Sequence, residues 1–172
     1  MYSQDAFHGH AAPSWVRHVV VAVDGSPASR DGLALAAEVA ERTGGHVTVV
    51  HVRHVPAGAS LSSLVAEQVV RTHDELEAEV RGATLEALAG HGISWDLVVR
   101  AGSPGEEVLK VVKELAADLV VVGSNRHSYL HNVLLGSTSA YLASHSPVPV
   151  LVARPRAAIR AEAIHAHGPP AL

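Results

Sequence analysis

Hydrophobic positions along the chain gather into five short runs: His18–Val23, His46–Val52, Trp95–Val99, Asp118–Val122 and Val148–Ala153. Valine dominates them, and most are near-continuously apolar instead of alternating with polar residues. That pattern predicts strands covered on both faces, as in a parallel sheet. Between the runs the apolar spacing changes to a helical one. Residues Ala28–Thr43 carry Leu33, Ala37 and Ala40 on one face, and Gly44-Gly45 ends the pattern. Residues Leu61–Ala89 place Leu64, Val65, Val69, Leu76, Val80 and Leu88 along a stripe, stopped by Gly90-His91-Gly92. A third helix is expected to open at Ser103-Pro104-Gly105-Glu106, with a serine cap, a proline in the first turn and the glutamate of a capping box. Its apolar face reads Val108, Val112 and Leu115. A fourth runs from Ser137 to His145 and stops before Pro147, after which Val148 is expected to open the last strand. The alternation β-α-β-α-β-α-β-α-β predicts a doubly wound α/β sandwich with right-handed crossovers.

Length and composition narrow this to one globular unit. The chain has 172 residues, 48% hydrophobic and 17% charged, enough to fill a core and too apolar for a disordered chain. We expect a domain over residues 15–155, a disordered N-terminal tail at 1–14 and a flexible C-terminal tail at 156–172. Net charge is −4, so no basic field exists to hold nucleic acid or an anionic membrane. Cysteine is absent, which excludes disulfides, thiol nucleophiles and thiolate metal sites. No run is long enough to span a membrane, and the N-terminus lacks a signal core, so a cytoplasmic location is expected. The thirteen histidines are scattered and do not assemble three or four converging ligands, so no metal site is assigned. His51 and His54 read as turn residues and Trp95 as packing.

Candidate chemistry concentrates at two strand-to-helix turns. One is Asp24-Gly25-Ser26-Pro27 after the first strand. The other is Gly123-Ser124-Asn125 after the fourth, continuing to Gly136-Ser137-Thr138 at a helix start. In a doubly wound sheet of order 3-2-1-4-5 these turns face each other where the winding reverses, the usual place for a ligand. Asp24 either accepts hydrogen bonds from a base or ribose, or fixes its own turn and caps a helix. At Gly123, a side chain would block close approach of backbone to ligand. Gly136, Ser137 and Thr138 offer N–H groups and hydroxyls at a helix N-terminus, either to an anion or as an ordinary cap. No nucleophile–base pair or paired carboxylates emerge from the spacing, so no catalytic residue is nominated, and slow hydrolysis of a bound ligand is the most that is expected of an enzyme here.

These blocks together resemble the universal stress protein family. The opening block is His18-Val19-Val20-Val21-Ala22-Val23-Asp24-Gly25-Ser26. The closing blocks are Asp118–Ser124, Leu134-Leu135-Gly136-Ser137-Thr138 and Pro147–Val152, with Gly102-Ser103-Pro104 after the third strand. The resemblance spans Arg17 to Arg154. It implies a flavodoxin-like fold of order 3-2-1-4-5, a stress-response regulatory role, and a homodimer joined through the last strand at Val148, Val150 and Val152. The family's ATP-binding branch carries Gly-x-x-Gly, nine residues, then Gly-Ser/Thr. Gly123, the spacer His127–Leu135 and Gly136-Ser137 match it, and Arg126 replaces the second glycine. By the same resemblance Asp24 and the end of strand two, Val50 to Val52, lie around the adenosine of a bound ATP, with Mg2+ as its companion. Arg126 has two readings. It blocks the phosphate cradle, in which case the chain is a non-nucleotide interaction protein of the same fold, or its guanidinium reaches over the phosphates.

Overall fold

A computed structural model of the chain describes residues 15–53, 63–124 and 136–154, with residues 63–70 and 73 described by backbone alone. The order of elements is β1 (His18–Val23), α1 (Pro27–Thr43), β2 (His46–Arg53), α2 (Ser63–Leu88), β3 (Ser94–Ala101), α3 (Pro104–Glu114), β4 (Leu119–Gly123), α4 (Ser137–His145) and β5 (Val150–Ala153). The five strands are parallel and lie in the order β3-β2-β1-β4-β5, the flavodoxin-like arrangement, so β1 is central. Its two neighbours in register are Val47 and Leu119 beside Val19, then Val49 and Val121 beside Val21.

Helices cover both faces, which is why the strands read as continuously apolar. Val19, Val21, Val47, Val49 and Val121 face α1 and α2, against Leu33, Ala37, Val80 and Leu88. The alternate residues Val20, Val50, Val120 and Val122 face α3 and α4, against Val108, Val112 and Leu142. Each fully buried valine stabilises the fold by about 1.5–3 kcal/mol relative to an exposed one. Small residues on α1 (Ala36, Ala37 and Ala40, all fully buried) let that helix lie close to the central strands.

Some expected details differ. The third helix buries Leu109 and Val111 beside Val108 and Val112, while Leu115 is its C-cap and exposed. Ser103 occupies the N-cap as expected but makes no side-chain cap bond, and its carbonyl accepts the first helical bond, from the Glu107 N–H at 3.0 Å. The last strand starts at Val150, two residues later than expected. Pro147 and Pro149 flank Val148 and have no N–H to give a ladder, and the Ser146 hydroxyl folds Val148 into a turn (2.8 Å to its carbonyl, 3.2 Å from its N–H). Val148 therefore packs on the α3/α4 core instead of joining a strand edge. Trp95 packs against the α1/α2 core as expected. Leu64, Val65 and Val69 of the expected α2 stripe, His54 and the two tails lie outside what the structure describes in side chains.

Candidate functional site

At the carboxyl end of the sheet, β1 and β4 part and leave a cleft holding about 660 Å3 of free space, its open mouth included. Its apolar wall comes from Ala22, Val50, Val52, Val108 and Val122. Its polar rim comes from Asp24, Ser26 and Ser29 on one side and Gly136, Ser137, Thr138 and Ser139 on the other. Six of the residues picked from the sequence, Asp24, Val50, Gly123, Gly136, Ser137 and Thr138, thus line one cavity. Arg126 and the spacer 127–135 fall outside the described residues.

The Asp24 turn is tightly determined. Gly25 has φ of 82°, a left-handed conformation that the glycine supplies cheaply. Asp24 Oδ1 accepts from the Ser26 N–H at 3.0 Å, so the carboxylate fixes its own turn. Ser26 then caps α1, its hydroxyl accepting from the Ser29 N–H at 3.2 Å, while Ser29 Oγ donates to the Ser26 carbonyl at 2.9 Å. Burial pushes the Asp24 carboxyl up, but the hydroxyl and amide of Ser26 and the hydroxyl of Ser29 outweigh it. The net result holds Asp24 below its ordinary value of 3.8. Asp24 is exposed at the cleft, so its carboxylate faces a ligand while it fixes the turn.

The end of β1 is held from behind by His51. The sequence suggested a turn residue there; the ring is instead buried inside β2, opposite Val23 in the register. Its Nδ1–H donates to the Val23 carbonyl at 3.1 Å, closing the last ladder position before Asp24. A histidine in an apolar run is the only sequence signal for it, and that signal does not say where the ring points.

Gly123 is required for a reason other than the one the sequence suggested. A Cβ there would lie 2.3 Å from the Ala28 carbonyl oxygen and 2.7 Å from the Ser29 nitrogen. The glycine lets the first turn of α1 settle on the end of β4; close packing of backbone on backbone demands it, and the cleft beside it follows from that packing.

Across the cleft, no side chain among the described residues caps the start of α4. Gly136 is the N-cap in extended conformation, and the first-turn N–H groups of Ser137, Thr138 and Ser139 have no acceptor within the helix. The Ser139 hydroxyl is turned away, donating to the Gly136 carbonyl at 3.0 Å. An uncapped nine-residue helix start facing a cavity attracts an anion through its N–H groups and its dipole. Pro104, at the start of α3, completes the rim. Sequence reading missed Ser29, Pro104, Val108 and Ser139 as lining residues. The Ser103-Pro104 signal located the start of α3, and the starts of α1, α3 and α4 all open on the same cleft.

The model of the universal stress protein family matches residues 16–154. The chain belongs to that family. Universal stress protein YxiE of Bacillus subtilis is 32% identical over 145 residues, covering 79% of this chain and 97% of its own. Two solved structures share the fold. A universal stress protein in complex with cAMP has a TM-score of 0.62 at 24% identity, covering 79% of this chain and 95% of that one. A family protein from Arabidopsis thaliana with AMP bound has a TM-score of 0.57 at 19% identity, covering 83% and 94%. Among the described residues no three acidic or histidine side chains converge to hold a metal, and no helix is long and apolar enough to cross a membrane.

Proposed function

We propose that this universal stress protein is a stress-response regulatory module that binds ATP in the cleft between β1 and β4. The observation that carries the reading is the pairing of an uncapped helix start at Gly136-Ser137-Thr138 with an apolar wall and an ionised Asp24 across one cavity. The N–H groups of α4 suit phosphate oxygens, Val50 and Val52 suit the flat face of a base, and Asp24 suits ribose hydroxyls. Asp24 is anionic and sits opposite α4, which orders the ligand with its sugar toward β1 and its phosphates toward α4. Gly123 keeps the floor free of side chain, and the guanidinium of Arg126, which lies outside the described residues, is chemically suited to phosphate oxygens. Mg2+ enters with the nucleotide, because Asp24 is the one carboxylate among the described lining residues and is engaged with Ser26. The fact that two structural neighbours were solved with adenine nucleotides supports the choice of base.

Thermal unfolding with and without ATP and Mg2+ tests the reading. Ligand at about 100 times its Kd stabilises the native state by about 2.7 kcal/mol, a rise in Tm of several degrees. An unchanged Tm at millimolar ATP would favour the non-nucleotide interaction module to which Arg126 also points.

The same reading includes a homodimer joined through β5. That edge carries Val150, Leu151 and Val152 with no charge, and Leu151 is 37% exposed, whereas the opposite edge, β3, bears Asp96 and Arg100. Charged edges resist pairing and bare apolar ones invite it. Leu151→Lys is expected to halve the mass seen by light scattering, and it spares the core that Val150 and Val152 pack against. A dimer that survives Leu151→Lys rules out this edge as the interface.

A further inference from the structure

The starts of α3 and α4 share the rim of the cleft, and one contact sets the distance between them. Gly105, in the first turn of α3, is buried, and Tyr141, in the middle of α4, lies against it. A Cβ placed on Gly105 would stand 2.5 Å from Tyr141 Cδ1, 2.9 Å from its Cγ and 3.1 Å from its Cβ. Glycine is a poor helix former, and nothing in this ordinary helical backbone calls for it except the space it leaves.

Helix α4 has little else to seat it. Of its nine residues only Ser139 and Leu142 are buried, and Tyr141 is partly buried on the same core as Leu142. Ser137, Tyr141 and His145 follow at intervals of four, so they lie one above another on a single face of the helix. The Tyr141 ring stacks on His145 with centroids 4.2 Å apart and planes 17° apart, and His145 Nδ1–H donates to the Tyr141 carbonyl at 2.9 Å. The ring is therefore held. A neighbour pressing on its Cβ and Cγ, so close to the backbone, moves the helix instead of turning the side chain.

We infer that Gly105 and Tyr141 are positioning residues for the nucleotide site, their contact setting how far the first turn of α4 stands from Pro104 across the rim. The role given to the nucleotide rests on the ATP reading above; the placement of α4 does not. Pro104 precedes Gly105, and Ser137 and Thr138 precede Tyr141 by about one turn, so each partner stands directly behind residues that line the cleft. Relieving the 2.5 Å approach to the 3.4 Å of ordinary contact opens the gap by about 0.9 Å. That exceeds the range of about 0.5 Å over which an N–H···O bond keeps its length. A single methyl group at position 105 is thus enough to carry the α4 N–H groups out of reach of a phosphate seated on the cleft.

A double-mutant cycle on the full chain tests this. Gly105→Ala should weaken binding of ATP with Mg2+, read by calorimetry, about tenfold, the scale of one charge-assisted hydrogen bond. In the Tyr141→Ala background the same substitution should change nothing further, because the ring it presses on is gone. An equal loss in both backgrounds overturns the inference. Ligand-free NMR spectra separate it from the nucleotide reading. There Gly105→Ala should move the amide resonances of Ser137, Thr138 and Ser139, and should leave them in place when added to Tyr141→Ala. Unmoved amides with Tyr141 present overturn the inference; moved amides in a protein that binds no ATP uphold the placement and overturn the nucleotide reading alone. A Gly105→Ala chain that folds only together with Tyr141→Ala upholds the contact, and one that unfolds in both backgrounds overturns it.

Discussion

The two ends of this sheet treat their polar groups in opposite ways. At the amino end, His18, His46, Thr48, Ser94, Asp96 and Asp118 are used up on one another and on the strand backbones. At the carboxyl end, small residues and a helix start leave N–H groups facing a cavity. The difference follows from helix direction. In a parallel α/β sheet, helix C-termini with spare carbonyls gather at one end and helix N-termini with spare N–H groups at the other. Carbonyls are satisfied by donors that the chain supplies, as the Ala117 N–H serves Val112 at the end of α3. N–H groups await an acceptor, and at α4 no side chain among the described residues provides one. One end has become a fastening and the other a receptor.

The strongest way to break this comparison is at Gly123, which we assign to packing. Gly123→Ala should cost about 3 kcal/mol, because backbone atoms of α1 stand in the way of its Cβ and cannot yield as a side chain would. For a chain of this size that is a fall in Tm of about 10 °C. Loss of ATP binding at unchanged Tm would return the glycine to a ligand-contact role.

Arg126→Gly comes next and sharpens the receptor end. If the guanidinium serves the phosphates, its removal should weaken ATP binding about tenfold, the scale of a charge-assisted hydrogen bond, and AMP binding less. Tighter ATP binding in the variant would show that the arginine obstructs the cradle.

The smallest effect concerns Asp24. Its carboxylate is favoured by folding, so the stability it contributes is present above about 3.8 and is lost as pH falls through its lower folded value. Asp24→Asn should cost about 1 kcal/mol or less at neutral pH, given the exposure of the group, and should remove that part of the acid transition. An acid unfolding profile identical in wild type and Asp24→Asn would mean that the Ser26 bonds do not stabilise the charge.

How far the sequence could be read follows the same division. The strands and both helical layers were legible, because continuous valine runs and helical periodicity are direct consequences of two-sided burial, whereas the strand order came from the family resemblance. The cleft was legible in its corners, Asp24, Gly123 and Gly136-Ser137-Thr138, since turn chemistry and helix starts are local signals. What escaped depends on partners far away in the chain. The need for glycine at Gly123 lies in Ala28 and Ser29, and the ring of His51 is set by the Val23 carbonyl. Val148 was lost from the last strand through prolines on both sides and a serine that folds it into a turn.

Chemical-shift mapping of the amides during titration with ATP and Mg2+ tests the central claim most directly, because it reads both ends at once. The account predicts saturable shifts at Asp24, Val50, Ser137, Thr138 and Ser139, with Thr48, Asp96 and Asp118 left in place. Shifts confined to the amino end, or none at millimolar ATP, would contradict it.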